Sequence, residues 1–116
     1  MKEKTLDIVL PCYNPAQGWV QHIIQAYTQL STQLPETRIH IILVNDGSVK
    51  GVSETDILQL QQDIPASHYT AYAQNAGKGH ALRKGVGQST ADYIIYTDVD
   101  FPYTIESILR VYTSLD

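Results

Sequence analysis

At 116 residues the chain has room for one domain around one core. Its formal net charge of −4 comes without a basic stripe, and Lys78, Arg83 and Lys84 form only a local cluster, so nucleic-acid binding has no electrostatic footprint. A single cysteine, Cys12, excludes an intramolecular disulfide and fits a reducing, cytoplasmic setting, and no apolar run approaches the roughly 20 residues of a membrane span.

The elements follow from hydrophobic spacing. Met1-Lys-Glu-Lys does not read as a signal peptide, because it leads straight into the apolar strand Leu6–Pro11. Pro15 is expected at a first helical position after Asn14. Trp19, Val20, Ile23, Ile24, Tyr27 and Leu30 then recur at helical spacing. Arg38–Val44 is β-branched and apolar, a buried strand, and Asn45-Asp46-Gly47-Ser48 is a turn. Ser53 caps a second helix with Asp56 at the capping-box distance, and Ile57, Leu58 and Leu60 form its apolar side. Pro65 ends it. His68–Ala73 is a third strand. Asn75-Ala76-Gly77-Lys78-Gly79 turns into a helix of about ten residues. Asp92–Thr97 is a fourth strand in which Tyr93 and Tyr96 pack on the sheet. Tyr103 or Thr104 opens a last helix carrying Ile105, Ile108, Leu109 and Tyr112.

Strict β-α alternation implies an α/β fold, a Rossmann-like, mostly parallel sheet with helices on both faces. Ligands of such sheets bind at the carboxyl ends of the strands. The polar clusters Cys12-Tyr13-Asn14, Asn45-Asp46-Gly47-Ser48, Gln74-Asn75-Ala76-Gly77 and Asp98-Val99-Asp100 each follow a predicted strand, so four loops are expected to meet on one rim.

Asp98 and Asp100 sit one residue apart past an apolar strand, on one face if the strand continues. Crowded carboxylates repel unless a cation lies between them, and oxygen ligands favour hard ions such as Mg2+ or Mn2+. Two protein ligands leave positions open for substrate phosphates. A lone Asp-x-Asp is commonly a solvated turn, but the four-loop context favours a phosphate-handling site. The first loop lacks Gly-x-Gly-x-x-Gly and the P-loop pattern. Gly77, Lys78 and Gly79 put backbone N–H groups and a cation at a helix start, where an anion is welcome. The bland alternative is a turn that lets the helix pack closely on the sheet, and it is stronger for Gly85 and Gly87. Asp46 suits a base or ribose contact, or an Asx turn. Tyr13 either leans on a base or packs. The histidines at 22, 40, 68 and 80 have no metal-ligand spacing, and no nucleophile system stands out.

The blocks Ile8-Val9-Leu10-Pro11-Cys12-Tyr13-Asn14, Val44-Asn45-Asp46-Gly47-Ser48, Asn75-Ala76-Gly77-Lys78-Gly79-His80-Ala81-Leu82 and Thr97-Asp98-Val99-Asp100 together resemble the family-two glycosyltransferases of the nucleotide-diphosphosugar (GT-A) fold. The resemblance covers nearly the whole chain. It implies transfer of a sugar from a UDP- or GDP-linked donor, usually with inversion and with Mg2+ or Mn2+. Pro11, Tyr13 and Asn14 would line the base pocket, and Asp46 would contact base or ribose. Gly77, Lys78 and Gly79 would lie near the nucleotide. Asp98 would touch ribose or metal, and Asp100 would ligate the metal. The family commonly has an acidic pair where this chain has Asn45-Asp46, which leaves uracil or guanine open. The chain ends 16 residues after Asp100, so residues 1–116 read as the donor-binding half, without the acceptor half. A catalytic base would lie beyond residue 116 or be unneeded, and membrane contact would come from further parts of a parent protein. Asp98-Val99-Asp100-Phe101-Pro102-Tyr103 is similar in style to members that load sugars onto polyprenyl phosphates in cell-envelope synthesis. An acceptor glycan is the other option. A sugar-1-phosphate nucleotidyltransferase would carry a Gly-rich, Arg-containing first loop instead of Pro11-Cys12-Tyr13-Asn14-Pro15. A receiver-like or nucleotide-sensing module would use Asp46 as phosphoacceptor.

Overall fold

The computed structural model describes residues 4–97 and 105–115. Strand and helix alternate throughout: β1 (Lys4–Cys12), α1 (Trp19–Gln33), β2 (Thr37–Asp46), α2 (Glu54–Asp63), β3 (Ser67–Tyr72), α3 (Lys78–Val86), β4 (Tyr93–Tyr96) and α4 (Ile105–Leu115). The four strands form one sheet in the order β3-β2-β1-β4, and every described pairing is parallel. β1 and β2 run in step from Lys4 opposite Thr37 to Cys12 opposite Asn45. At the start of the β1–β4 pair, Asp92 Oδ2 accepts hydrogen bonds from the N–H and hydroxyl of Thr5, at 2.9 and 3.2 Å. The Asp92 N–H returns one to Thr5 Oγ1 at 2.8 Å. Asp92 thus opens its strand as expected.

Because strand side chains alternate, β1 and β2 sort their residues onto two unlike faces. Leu6, Ile8, Leu10, Ile39, Ile41 and Leu43 point to one side and are buried against α1, α2 and α4. On α1, four of the six residues that spacing predicts, Trp19, Val20, Ile23 and Leu30, are buried together with Ala26, while Ile24 and Tyr27 pack partly buried at the edge. Ile108 and Tyr112 of α4 join this core, and the Tyr112 ring meets Tyr93 edge-on. Among the described residues, the opposite face holds Val9, Ile42, Val44 and Ala81 as its buried apolar cluster. There α3 rides close to the sheet, since a Cβ on Gly85 would lie 2.4 Å from Val9 Cγ1. Close packing is the role expected for that glycine.

A nine-residue helix covers about 13 Å, less than half of strands that run about 30 Å. The uncovered N-terminal part of the α3 face is polar. There the Asp7 carboxylate accepts from Ser89 Oγ at 2.6 Å and pairs with His40 Nδ1 at 3.2 Å, while the His68 ring stands 6.4 Å from that of His40.

Four expectations need correction. Pro15 does not start a helix: Asn14 adopts a positive φ of 44°, the chain continues as a loop, and α1 begins only after Gly18. Asn45 and Asp46 are the last residues of β2, and the turn starts at Gly47. The Ser53–Asp56 capping box forms as expected, but only Leu60 of α2 is fully buried and Leu58 is 61% exposed. Tyr93 packs on the sheet, whereas Tyr96 on the outer strand is 60% exposed.

Candidate functional site

The loops after β1 and β3, with Asp46 at the end of β2 between them, line a cavity of about 540 Å3 at the carboxyl rim of the sheet. Pro11, Tyr13, Asn14, Asp46, Gly77 and Lys78 all line it, so six of the sequence-expected residues are brought together. Cys12 and Asn75 line it too. Gly79 lies one residue further along, in the first turn of α3, and is not part of the lining. Asp98 and Asp100 lie outside the described residues. Thr97, the last described residue before them, is buried at this same rim, its N–H bonded to the Val9 carbonyl at 3.2 Å.

The walls are held by side chains that bond to the neighbouring loop. Asn14 ties the first loop to the second: its N–H donates to Ser48 Oγ at 2.9 Å, and its Oδ1 accepts from the N–H groups of Val49 and Lys50 at 2.9 and 3.3 Å. Those bonds account for a positive φ that Asn tolerates better than most residues. Asn45 spends both ends of its amide internally, accepting from Ser48 N at 3.0 Å and donating to Tyr69 Oη at 2.9 Å.

Asp46 is the centre of the site. It is only 3% exposed, and its carboxylate takes four hydrogen bonds, one from the last residue of β3 and three from the loop that follows it. Oδ1 accepts from Tyr72 Oη at 2.5 Å and from Ala76 N at 2.9 Å, while Oδ2 accepts from Asn75 Nδ2 at 2.6 Å and from Gly77 N at 3.0 Å. A carboxylate offers about four lone-pair directions, so this one is full. Tyr72 stands directly across the ladder from Asp46, on the same sheet face, which is why its hydroxyl reaches. The backbones also touch: a Cβ on Gly47, at φ 67°, would lie 2.3 Å from Asn75 N. Glycine is needed there both for its φ and for the space.

The electrostatics follow from this geometry. Burial pushes the Asp46 carboxyl pKa up, but the bonds from Tyr72, Ala76 and Gly77 and the nearby His80 outweigh it, so Asp46 titrates below the usual carboxylate value. Tyr72 is pushed up to about 12, by burial first and then by its bond to a carboxylate that its own ionisation would oppose. The His80 ring packs edge-on against Tyr72 with centroids 5.2 Å apart. A buried, four-bonded carboxylate has no oxygen left for phosphorylation, which removes the structural basis for the receiver reading. The same saturation bars Asp46 from holding a metal. Among the described residues no three His, Cys, Asp or Glu side chains gather where a metal could sit. The described residues by themselves do not provide a metal centre.

α3 begins at the cavity with Gly77, at φ 98°, as N-cap, with no side-chain cap and no acidic residue in its first turn. That end of a helix favours an anion.

The profile of Glycosyl transferase family 2 matches residues 7–116. The chain belongs to that family. Among curated family-2-like relatives, it is 32% identical over 112 residues to the undecaprenyl-phosphate 4-deoxy-4-formamido-L-arabinose transferase of Yersinia enterocolitica, covering 95% of this chain and 33% of the relative. It is 29% identical over 106 residues to the bactoprenol glucosyl transferase of Shigella phage SfX, covering 91% and 34%. It is 30% identical over 98 residues to the poly-beta-1,6-N-acetyl-D-glucosamine synthase of Staphylococcus epidermidis, covering 82% and 21%. The chain therefore spans about a third or less of the length of these relatives. The crystal structure of S. aureus TarS, residues 1–349, superposes with a TM-score of 0.70 at 14% identity, over 97% of this chain and 32% of that one. The expected GT-A type of α/β fold is thereby confirmed.

Of the residues that build the site, Tyr72 has no place among the sequence-based expectations, and Asn75 enters them only as part of the rim cluster Gln74-Asn75-Ala76-Gly77. Parallel register alone would have flagged Tyr72, because strand-end residues on one face of neighbouring strands meet.

Proposed function

We propose that the cavity binds the nucleoside diphosphate of a UDP- or GDP-linked sugar, and that the activity served is glycosyl transfer with inversion. The observation that carries this is a single cavity at the strand ends, lined by the loops after β1 and β3 and by Asp46 at the end of β2, with the start of α3 as its phosphate end. Family membership supports the same reading.

Polyprenyl phosphate is the proposed acceptor, on the strength of the two relatives named for undecaprenyl phosphate and bactoprenol. Such a phosphate is already anionic, so attack on the sugar needs no base to deprotonate it. The glycan synthase among the relatives keeps a glycan hydroxyl as the second option. Mg2+ or Mn2+ on Asp98 and Asp100 would neutralise charge growing on the departing diphosphate. The described residues have other duties: Tyr13, 52% exposed at the cavity, offers a ring for the base, and the α3 start receives the phosphates. Residues 1–116 alone are expected to bind donor without transferring it.

Calorimetry tests this directly. UDP or GDP with Mn2+ should bind, and Asp100→Ala should weaken binding at least tenfold. Absence of heat with every nucleoside diphosphate would overturn the reading.

A further inference from the structure

We propose that the polar hollow at the amino end of the sheet, on the α3 face, binds a phosphate-type oxyanion through His40 and His68. It lies at the far end of the strands from the cavity described above, and it does not depend on the donor reading.

The hollow exists because α3 is short. A cavity of about 380 Å3 remains over the uncovered strand starts, floored by Arg38, His40 and His68 and walled by Gln88 and Thr90 after α3. Strand alternation puts Arg38 and His40 on one face of β2. The parallel register sets His68 opposite Ile42, the next residue on that face. Three basic side chains from two neighbouring strands thus line one space.

Hydrogen-bond capacity decides the sign of the ligand. Asp7 supplies the carboxylate of the lining; it is 6% exposed, and each of its oxygens is engaged, one by Ser89 and one by His40. Asp92, beside Thr5 at the border, accepts from the Thr5 N–H and hydroxyl. Gln88 accepts from the Thr70 hydroxyl at 3.0 Å and donates to the Lys84 carbonyl at 3.3 Å. His40 Nδ1 faces a carboxylate, which only accepts, so this nitrogen carries the proton of the neutral ring and Nε2 is the end left over. Among the described residues no hydrogen bond engages His40 Nε2, the His68 ring or the Thr90 hydroxyl.

A cation in this space would meet Arg38 and two imidazoles, with the carboxylate already engaged. An oxyanion meets the charge of Arg38 and draws protons onto the rings, because imidazole is the side chain that changes charge near neutral pH. The two ring centres stand 6.4 Å apart, close enough for the oxygens of one phosphate to reach both. Binding is therefore coupled to proton uptake, and affinity falls as pH rises.

The test titrates the 116-residue chain with inorganic phosphate near pH 7 and at about 0.15 M salt, following the imidazole C–H resonances by NMR. The resonances of His40 and His68 should move together and saturate with a Kd of about 1 mM or below, while those of His22 stay in place. Calorimetry in two buffers of different ionisation heat should show proton uptake. His40→Gln and His68→Gln should each weaken phosphate about tenfold and leave UDP or GDP binding with Mn2+ unchanged, since neither residue lines the donor cavity. His68 is exposed, so its variant keeps the fold even if His40→Gln, which unpairs Asp7, does not. A second arm offers vesicles with and without phosphatidylglycerol. Binding that needs this lipid, fails with free phosphate and is lost in His68→Gln assigns the phosphate group to a lipid headgroup. No saturation with either probe, binding that survives His68→Gln, or binding without proton uptake overturns the site and leaves the donor reading untouched. Failure of the nucleoside diphosphates to bind bears on the donor cavity alone.

Discussion

The two faces of the sheet are built by different physics. The face under α1, α2 and α4 is a continuous apolar layer from Leu6 and Ile39 to Leu10 and Leu43. The face under α3 changes character along its length: Asp7 and His40 at one end, Val9, Ile42 and Val44 in the middle, Asp46 and Tyr72 at the other. The first face stores its stability mainly in area removed from water, and its buried polar groups, such as Asn45, are bonded internally. The second spends only its middle on packing. Its carboxyl end uses directional bonds, and those decide where three loops stand relative to one another. The cavity belongs to that end.

If this contrast is right, the largest effect lies in the thick layer. Leu43→Ala should cost about 2–5 kcal/mol in urea unfolding, by lost burial and a cavity, with the loops at the rim unaffected. A loss under about 1 kcal/mol would mean that the layer carries less than its burial implies. Next comes Asp46→Ala, at about 2–4 kcal/mol, because it strands four donors at once. Unlike Leu43→Ala, it should also release the 75–77 loop, seen as faster amide exchange at Ala76 and Gly77. Equal protection in the variant would break the comparison. Gly85→Ala tests the middle of the thinner face: a Cβ 2.4 Å from Val9 Cγ1 must push the helix off, costing about 1–3 kcal/mol.

The smallest effect at neutral pH is that of Tyr72→Phe, and it sharpens with alkali. Tyr72 titrates near 12 in the folded chain against about 10 unfolded, so the stability it lends as a neutral donor is full below pH 10. It is lost as pH rises from 10 through 12. The gap between the parent chain and Tyr72→Phe should therefore shrink over that window in pH-dependent unfolding. Asp46 works in the opposite sense. Its folded pKa is lowered, so its contribution is present above the ordinary carboxylate value and fades as pH falls through the folded one.

Much of this architecture was readable before any coordinates. Apolar runs marked β1, β2 and β4, and Ser53 with Asp56 announced the start of α2 through a local bond. Local signals failed where distant residues decide. Pro15 looks like a helix opener, but Asn14 has turned away to bond residues 34 to 36 positions on, and no local pattern carries that. Tyr96 reads as packing because its neighbours are apolar, yet it belongs to an outer strand. The site was legible as a set of loops, not as a division of labour. Asp46 looks like a ligand contact in sequence, whereas Tyr72 and Asn75, which surround it, look like ordinary strand and turn residues. Asp98 and Asp100, on which the expected Mg2+ or Mn2+ depends, lie outside the described residues, and that expectation stands as proposed.

The clamp between Thr5 and Asp92 joins residues 87 positions apart, and it closes the strand that lies between β2 and β4. β1, β2 and β3 can pair as soon as the first 72 residues exist, but one edge of β1 waits for β4. At ribosomal rates of about 5–20 residues per second, the roughly 80 residues from the end of β1 to β4 take about 4–16 seconds to appear. For that interval an apolar strand, Leu6 to Leu10, displays unpaired amides and carbonyls to the crowded cell. The nascent chain is most exposed to wrong partners there, and its yield in expression should track how well that one edge is shielded until its mate arrives.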